Sequence, residues 1–395
     1  AMHLALYAHP FDLEALAQAG GLARLRDLGY AEVALAVSYH DGRWLMPWHP
    51  GGVVRFLEDG VVHFRPRSDY GALRPQPSGF VPDHGPSPLE RFCAEAAAAG
   101  VGTRAWTVGT HNTRLGERHP EACVTNAFGD RLSYALCPAA PAVQHYLTAL
   151  VTDLAAHRGL QTIELEAFGA MGWKHSSHHD KASFTPSGLL DAALSACFCV
   201  ACRRQLQQAG ADPEALAGRV RTLVQQCLRD GDAMAPLRVP GNAQELTGSP
   251  FDSSWLEPVL GAQRAAVAAV AARVVAATAA SRRAVQVHPH PWFRGSQLAA
   301  GAASAYPATD ERVLTCYGDG LDAIGKALAS DGAKTWAASP RRVSFWPKAP
   351  QFQSDDDLRN LRALCERHGV GSLAVYHLGL LPWRTLERVA TEFGR

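Results

Sequence analysis

Residues 161–168 read QTIELEAF, and the disposition of Glu164 and Glu166 within them decides the fold. The stretch is apolar and β-rich, so it predicts a strand. Side chains alternate along a strand, which puts both carboxylates on one face and Ile163 and Leu165 on the other. A solvated carboxylate face would make this an ordinary half-exposed strand. A face turned into a barrel is different, because two charges that are costly to bury have then been placed there for a purpose.

Comparable runs recur on both sides. Strands are predicted at 3–8, 32–38, 103–109, 161–167, 284–289, 312–318, 342–347 and 372–377. Helical patterns fill the gaps near 12–27, 88–99, 141–157, 187–209, 254–280, 320–329, 355–368 and 382–393. Pro141 suits a first helical turn, and Ser354 ahead of Asp355 and Asp356 reads as a cap. Strands alternating with helices imply right-handed crossovers and a parallel sheet. Eight such units predict an α/β fold, a (β/α)8 TIM barrel, as one domain over residues 1–395. A doubly wound open sheet is the rival, and no Gly-rich phosphate loop follows any strand. Two insertions, 41–87 after the second strand and 168–253 after the fourth, fall where barrel enzymes build active sites.

The composition narrows the function. Of 395 residues, 47% are hydrophobic, and 38 basic against 37 acidic side chains leave a net charge of +1. That balance offers no basic patch for nucleic acid or an anionic membrane. The N-terminal AMHLALYAHP runs straight into a strand pattern without the charged and apolar regions of a signal peptide. No apolar run reaches the ~18 residues of a membrane span, and the stretch 264–280, which carries Arg264 and Arg273, reads as a core helix. The nine cysteines are an odd number, and three of them crowd into six residues, which suits a metal site in a reducing, cytoplasmic setting more than a disulfide framework. A homo-oligomer is compatible with all of this.

The predicted strand ends are chemically biased. They carry His9, Tyr39-His40, His111-Asn112, Glu164 with Glu166, His288-Pro-His290-Pro-Trp292, Tyr317 with Asp319, Trp346, and Tyr376-His377. Any one of these is more often a capped loop residue; the set converging on one mouth is the signal. Trp44, Trp48, Trp106, Trp173, Trp292, Trp346 and Tyr376 suit stacking on sugar rings, and Arg43 suits an anionic or hydroxyl-rich substrate. The loop GWKHSSHHDK (172–181) adds His175, His178, His179, Asp180 and Lys181, which could bind sugar hydroxyls or a metal. Its structural alternative is a polar loop whose histidines point several ways.

Residues 195–206, SACFCVACRRQL, hold Cys197, Cys199 and Cys202. Thiolates at this spacing can wrap one Zn²⁺ tetrahedrally, with a fourth ligand from elsewhere. Together with GDRLSYALCPAAPAVQHYLTALVTDLA (129–155) and the Glu-bearing strand, this motif resembles the glycoside hydrolase family 42 β-galactosidases. The resemblance covers roughly residues 103–206. It implies a structural zinc completed by Cys137, and Glu166 as general acid/base with Glu164 two residues before it. The chain departs from the family at Leu165, where an Asn is expected, and at VSFWPKAP (343–350), where the seventh strand carries no nucleophilic carboxylate. It also ends at the barrel. The expectation is therefore a relative with altered chemistry rather than a β-galactosidase.

Glycoside hydrolysis needs a carboxylic acid for the leaving oxygen and usually a second carboxylate. Glu166 is the candidate acid, with Glu164, Asp319 or Asp180 as partner; a structural ion pair of the glutamates with Arg104 or Arg283 is the alternative. Three readings follow. The first is a glycosidase acting on a small glycoside or oligosaccharide. The second is a metal-dependent isomerase, lyase or hydrolase using residues 175–180 with Glu164. The third is a sugar-binding barrel without catalysis.

Overall fold

The computed structural model describes residues 2–175, 181–184, 186, 188–230, 254–291 and 295–393. Of the residues singled out by sequence, His178, His179, Asp180 and Trp292 lie outside this set. Eight strands close into a ring: β1 His3–Ala8, β2 Glu32–Tyr39, β3 Gly102–Val108, β4 Thr162–Glu166, β5 Arg282–His288, β6 Glu311–Cys316, β7 Arg341–Phe345 and β8 Ser372–Val375. Each pairs in parallel with its neighbours in sequence, and β1 pairs with both β8 and β2. This is the TIM barrel that the eight-fold alternation predicts.

The two faces of each strand divide the core. Leu4, Leu6, Val33, Leu35, Ile163, Leu165, Val285 and Val287 face the surrounding helices in one apolar cluster. Ala5, Tyr7, Ala34, Ala36, Trp106 and Ala374 belong to a second, interior cluster. The small alanines leave room inside the ring for the large Tyr7, Arg104 and Trp106, so volume is conserved across the layers.

Most helices match the sequence expectation, including Pro88–Ala99, Pro141–Ala155, Leu256–Ala277 and Asp355–Arg367. Ser354 caps the last of these, as its position predicts. Two differ. The stretch 12–27 is two helices, Pro10–Ala17 and Gly21–Leu28, parted where Gly20 and Gly21 take φ of 102° and 62°, a region closed to most side chains. The stretch 187–209 is also two, Gly188–Ser195 and Val200–Gln208, because Cys197–Cys199 turns between them. The helix Leu256–Ala277 is long and apolar enough to cross a membrane by length and composition; here it packs along Pro141–Ala155 and Val200–Gln208.

The first insertion forms a hairpin, Gly42–Leu45 with Val54–Leu57, and a short strand, Val61–Val62, antiparallel to the end of β2. The second contributes three helices, Gly188–Ser195, Val200–Gln208 and Pro213–Asp230, with an apolar cluster of their own around Phe198, Leu223 and Trp255.

Candidate active site and thiol cluster

The interior of the ring is charged low and aromatic high. At the lower end Arg104, from β3, reaches three carboxylates: Glu32 (2.8 Å), Glu164 (2.9 Å) and Glu311 (2.7 Å). Arg342, from β7, completes the net with Glu32 at 2.7 Å and Glu311 at 3.3 Å. Burial alone would raise the Glu32 carboxyl, and the two guanidiniums overcome it, bringing it down to about 2. Glu164 is fully buried and also accepts hydrogen bonds from the Tyr7 hydroxyl (2.5 Å) and Gln286 Nε2 (2.8 Å). Glu164 thus sits in an ion pair with Arg104. Arg283, the other cation considered, pairs instead with Asp310 at 2.9 Å.

Glu166 lies one layer nearer the strand C-termini and has a different environment. Trp106 Nε1 donates to its Oε2 at 2.5 Å, and no cation pairs with it among the described residues. Burial pushes its carboxyl up to about 7; hydrogen bonds from Trp106, Ser296 and Gln286 oppose that rise, and the Glu164 charge adds to it. Two glutamates on one strand face therefore have opposite surroundings: one is held by a guanidinium, the other lies against aromatic side chains.

Those aromatic side chains form a continuous ring assembly. Trp106 meets Tyr7 at 4.9 Å and Tyr39 at 4.8 Å between centroids. Tyr317 stacks on Tyr376 at 4.2 Å, Trp346 meets Tyr376 edge-on at 5.3 Å, and the Tyr39 and Tyr376 hydroxyls are 3.4 Å apart. Trp44 reaches in from the first insertion to lie 4.5 Å from His9 and 4.6 Å from His377. The hairpin alternation explains why: Trp44 and Arg55 oppose each other on the inner face, while Arg43 stands opposite Phe56 and is exposed.

The histidines form two separate groups. His40 stacks on both Tyr39 and His111, each at 4.2 Å, and His175 meets His111 edge-on at 4.7 Å. Burial lowers all three imidazoles, His175 to about 4, which disfavours their charged forms. The His175 segment is anchored by the Tyr134 hydroxyl, which donates to Gly172 O at 2.8 Å, and by Ser195, which accepts from Trp173 N–H at 2.9 Å. The second group joins His9 and His377 (3.0 Å) to Asp12, whose Oδ1 is 2.7 Å from His49 Nε2. Sequence reading noted His9 and His377 but missed Asp12 and His49. Asp12 passes for an ordinary first-turn acid, and His49 lies in an irregular insertion.

Other expected residues are placed elsewhere. Asn112 caps the helix Thr113–Arg118, accepting from Leu115 N–H at 2.9 Å. Asp319 is exposed, with its carboxylate against the Cys316 thiol on the helix side of β6 rather than beside Glu166. Lys181 is exposed. His288 and His290 border a cleft of about 680 Å³ together with Gln263, Arg264 and Lys326, outside the ring of strands; Glu166 does not line it.

The four thiols come together. Cys137 Sγ lies 3.5 Å from Cys202, 3.7 Å from Cys199 and 3.8 Å from Cys197. All four are buried, and all nine cysteines are free of disulfides. Local backbone geometry aims them: Phe198 N–H donates to Thr125 O at 2.7 Å, Thr125 N–H reaches Cys197 Sγ at 3.4 Å, and Cys202 N–H reaches Cys199 Sγ at 3.5 Å. A tetrahedral ion with metal–sulfur bonds of about 2.3 Å has sulfur–sulfur edges of about 3.8 Å. The observed separations fit that tetrahedron, so the cluster can hold a metal ion.

No protein-family model matches this chain, and no curated protein sequence does. Solved structures do. All of this chain superposes on 49% of alpha-L-fucosidase isoenzyme 2 from Paenibacillus thiaminolyticus, with a TM-score of 0.55 at 11% identity. Beta-galactosidase from Bacillus circulans sp. alkalophilus gives 0.54 at 10% identity over 99% of this chain and 56% of that one. The catalytic domain of beta-amylase from Paenibacillus polymyxa gives 0.51 at 11% identity over 99% and 96%. The chain thus spans about half the length of the fucosidase and the galactosidase. At these identities the likeness is one of fold alone, the TIM barrel.

Proposed function

We propose that this protein is a glycoside hydrolase-like enzyme acting on a small glycoside or oligosaccharide, with Glu166 as general acid/base. One observation carries the reading: a buried carboxyl at the C-terminal end of β4, raised to about 7, held by an indole N–H and lined by aromatic rings. A general acid works best with a pKa near the operating pH. Aromatic rings and neutral imidazoles around it suit the apolar faces and hydroxyls of a sugar. The glycosidase barrels that share the fold support the substrate class.

Glu164 then acts as a fixed anion that holds Tyr7 and Gln286 in place and raises Glu166 through its charge. In this reading Zn²⁺ occupies the cluster of Cys137, Cys197, Cys199 and Cys202 in a structural role, since four thiolates leave no open coordination position for substrate. The free thiols support a reducing, cytoplasmic setting.

A screen of aryl glycosides on the wild type and on Glu166→Gln tests the proposal. Turnover that falls by about 10²–10⁴-fold in the variant is the expected result. Sugar binding without turnover by the wild type would instead make this a carbohydrate-binding barrel.

A further inference from the structure

β1 and β8 are neighbours in the ring, so the residues that leave their C-terminal ends meet. His9 follows β1, Asp12 lies in the first turn of the helix Pro10–Ala17, and His377 follows β8. His9 Nδ1 and His377 Nε2 are 3.0 Å apart, while Asp12 Oδ2 approaches His377 from its other ring nitrogen, Nδ1, at 3.7 Å, so a shared ion would take Nε2 of His377 and leave Nδ1 to the Gly379 N–H. One ligand atom from each of the three lies within 4.8 Å of the other two. Their relative exposures are 1%, 0% and 0%, which sets them apart from the exposed carboxylates and imidazoles that cluster by chance on surfaces.

We infer that His9, Asp12 and His377 form a second metal site, distinct from the thiol cluster, for a divalent first-row transition ion. Two imidazoles and one carboxylate are the donor set such ions take when some coordination positions stay open for water or substrate. Two imidazole nitrogens and a carboxylate oxygen are lone pairs that a borderline dication accepts. The surroundings have the features of an outer shell. The other carboxylate oxygen of Asp12 is fixed by His49 Nε2 at 2.7 Å, and its Oδ2 accepts the His9 N–H at 2.7 Å. The backbone of Gly379 packs so closely on Asp12 that a Cβ there would overlap the carboxylate. Phe11, Tyr39, Trp44 and Trp106 wall the His9 ring off from water, and His9 Nε2 is buried with no hydrogen-bond partner among the described residues. Trp106 touches both this group and Glu166, so the ion would border the same aromatic chamber. The inference does not rest on the glycosidase reading.

The competing arrangement is a proton-sharing chain. Gly379 N–H donates to His377 Nδ1 at 3.2 Å, and His377 Nε2–H would then donate to His9 Nδ1. Cobalt separates the two. Full-length protein stripped of metal and titrated with Co²⁺ is read by elemental analysis and visible absorption. Ions on thiolates show intense sulfur-to-cobalt charge transfer, and ions on imidazole and carboxylate show only weak ligand-field bands. Two ions per chain are expected, one of each kind. His377→Gln should keep the charge-transfer band, which reports an intact barrel, and lose the sulfur-free ion. Asp12→Asn should weaken that ion by about tenfold or more, and it serves as the second variant if His377→Gln does not fold. A wild type that binds one ion, with charge transfer only, overturns the inference in favour of the hydrogen-bonded imidazole pair. A sulfur-free ion that persists undiminished in the variants overturns it too.

Discussion

The Trp106 indole N–H donates to Glu166 at 2.5 Å, across the β3–β4 pair. This bond favours the ionised carboxylate and so works against the burial that raises it. Trp106→Phe removes the donor while keeping most of the ring. The Glu166 carboxyl is expected to rise further, by on the order of one unit. If Glu166 is a general acid, the alkaline limb of the pH–rate profile moves upward by the same amount. An unmoved limb would show that another group sets it.

Glu166 also sets the sign of a stability change. Its carboxyl lies at about 7 in the fold against an ordinary 4.5, so the native state binds the proton more tightly than the unfolded chain. The stabilisation from this group is complete below the unfolded value and is lost as pH rises through about 7. The total is roughly 3 kcal/mol. Glu166→Gln stays neutral throughout, so its urea midpoint should fall less than that of the wild type between pH 5 and 8.

The Arg104 net predicts the opposite dependence. Glu32 is held at about 2, below its unfolded value, so its stabilisation is present above ordinary carboxylate pH and disappears as pH falls through about 2. Arg104→Met leaves Glu32, Glu164 and Glu311 without their shared cation. Arg342 still pairs with Glu32 and Glu311, so Glu164 is the carboxylate left buried without a cation, and a loss of about 3–5 kcal/mol is expected. Denaturant unfolding near neutral pH measures it. A variant as stable as the wild type would mean that the net is not a principal support of the barrel.

The thiol cluster predicts a metal dependence. Cys199→Ser should lower the metal content measured by elemental analysis and lower the melting temperature, since a structural metal adds directly to folding free energy. Activity per folded molecule should change little. A loss of turnover without a loss of stability would contradict a structural role.

Much of this was legible in the sequence because the barrel is locally consistent: every predicted strand lies on a real one, and alternation alone put Glu164 and Glu166 on the inner face. The break at Cys197–Cys199 was not legible, since the helical pattern on both sides is continuous and only the distant Cys137 makes the turn worthwhile. Nor was the fate of Asn112, which a strand-end location made a sugar ligand and the following helix made a cap. His288 ends the fifth strand and His290 lies beyond the Pro289 turn, where strand alternation no longer applies, and both border an outer cleft. Arg104 was readable as a partner for Glu164. That it would also reach Glu311 depends on the stagger of β3 against the non-adjacent β6, which no local pattern encodes.

Cys137 and Cys197 are 60 positions apart, and the whole of β4 lies in the chain between them. During synthesis the first sulfur leaves the ribosome well before its three companions, so an ion can be clasped only after the strand bearing Glu166 has emerged. Closing that clasp draws the two ends of the segment together around the strand.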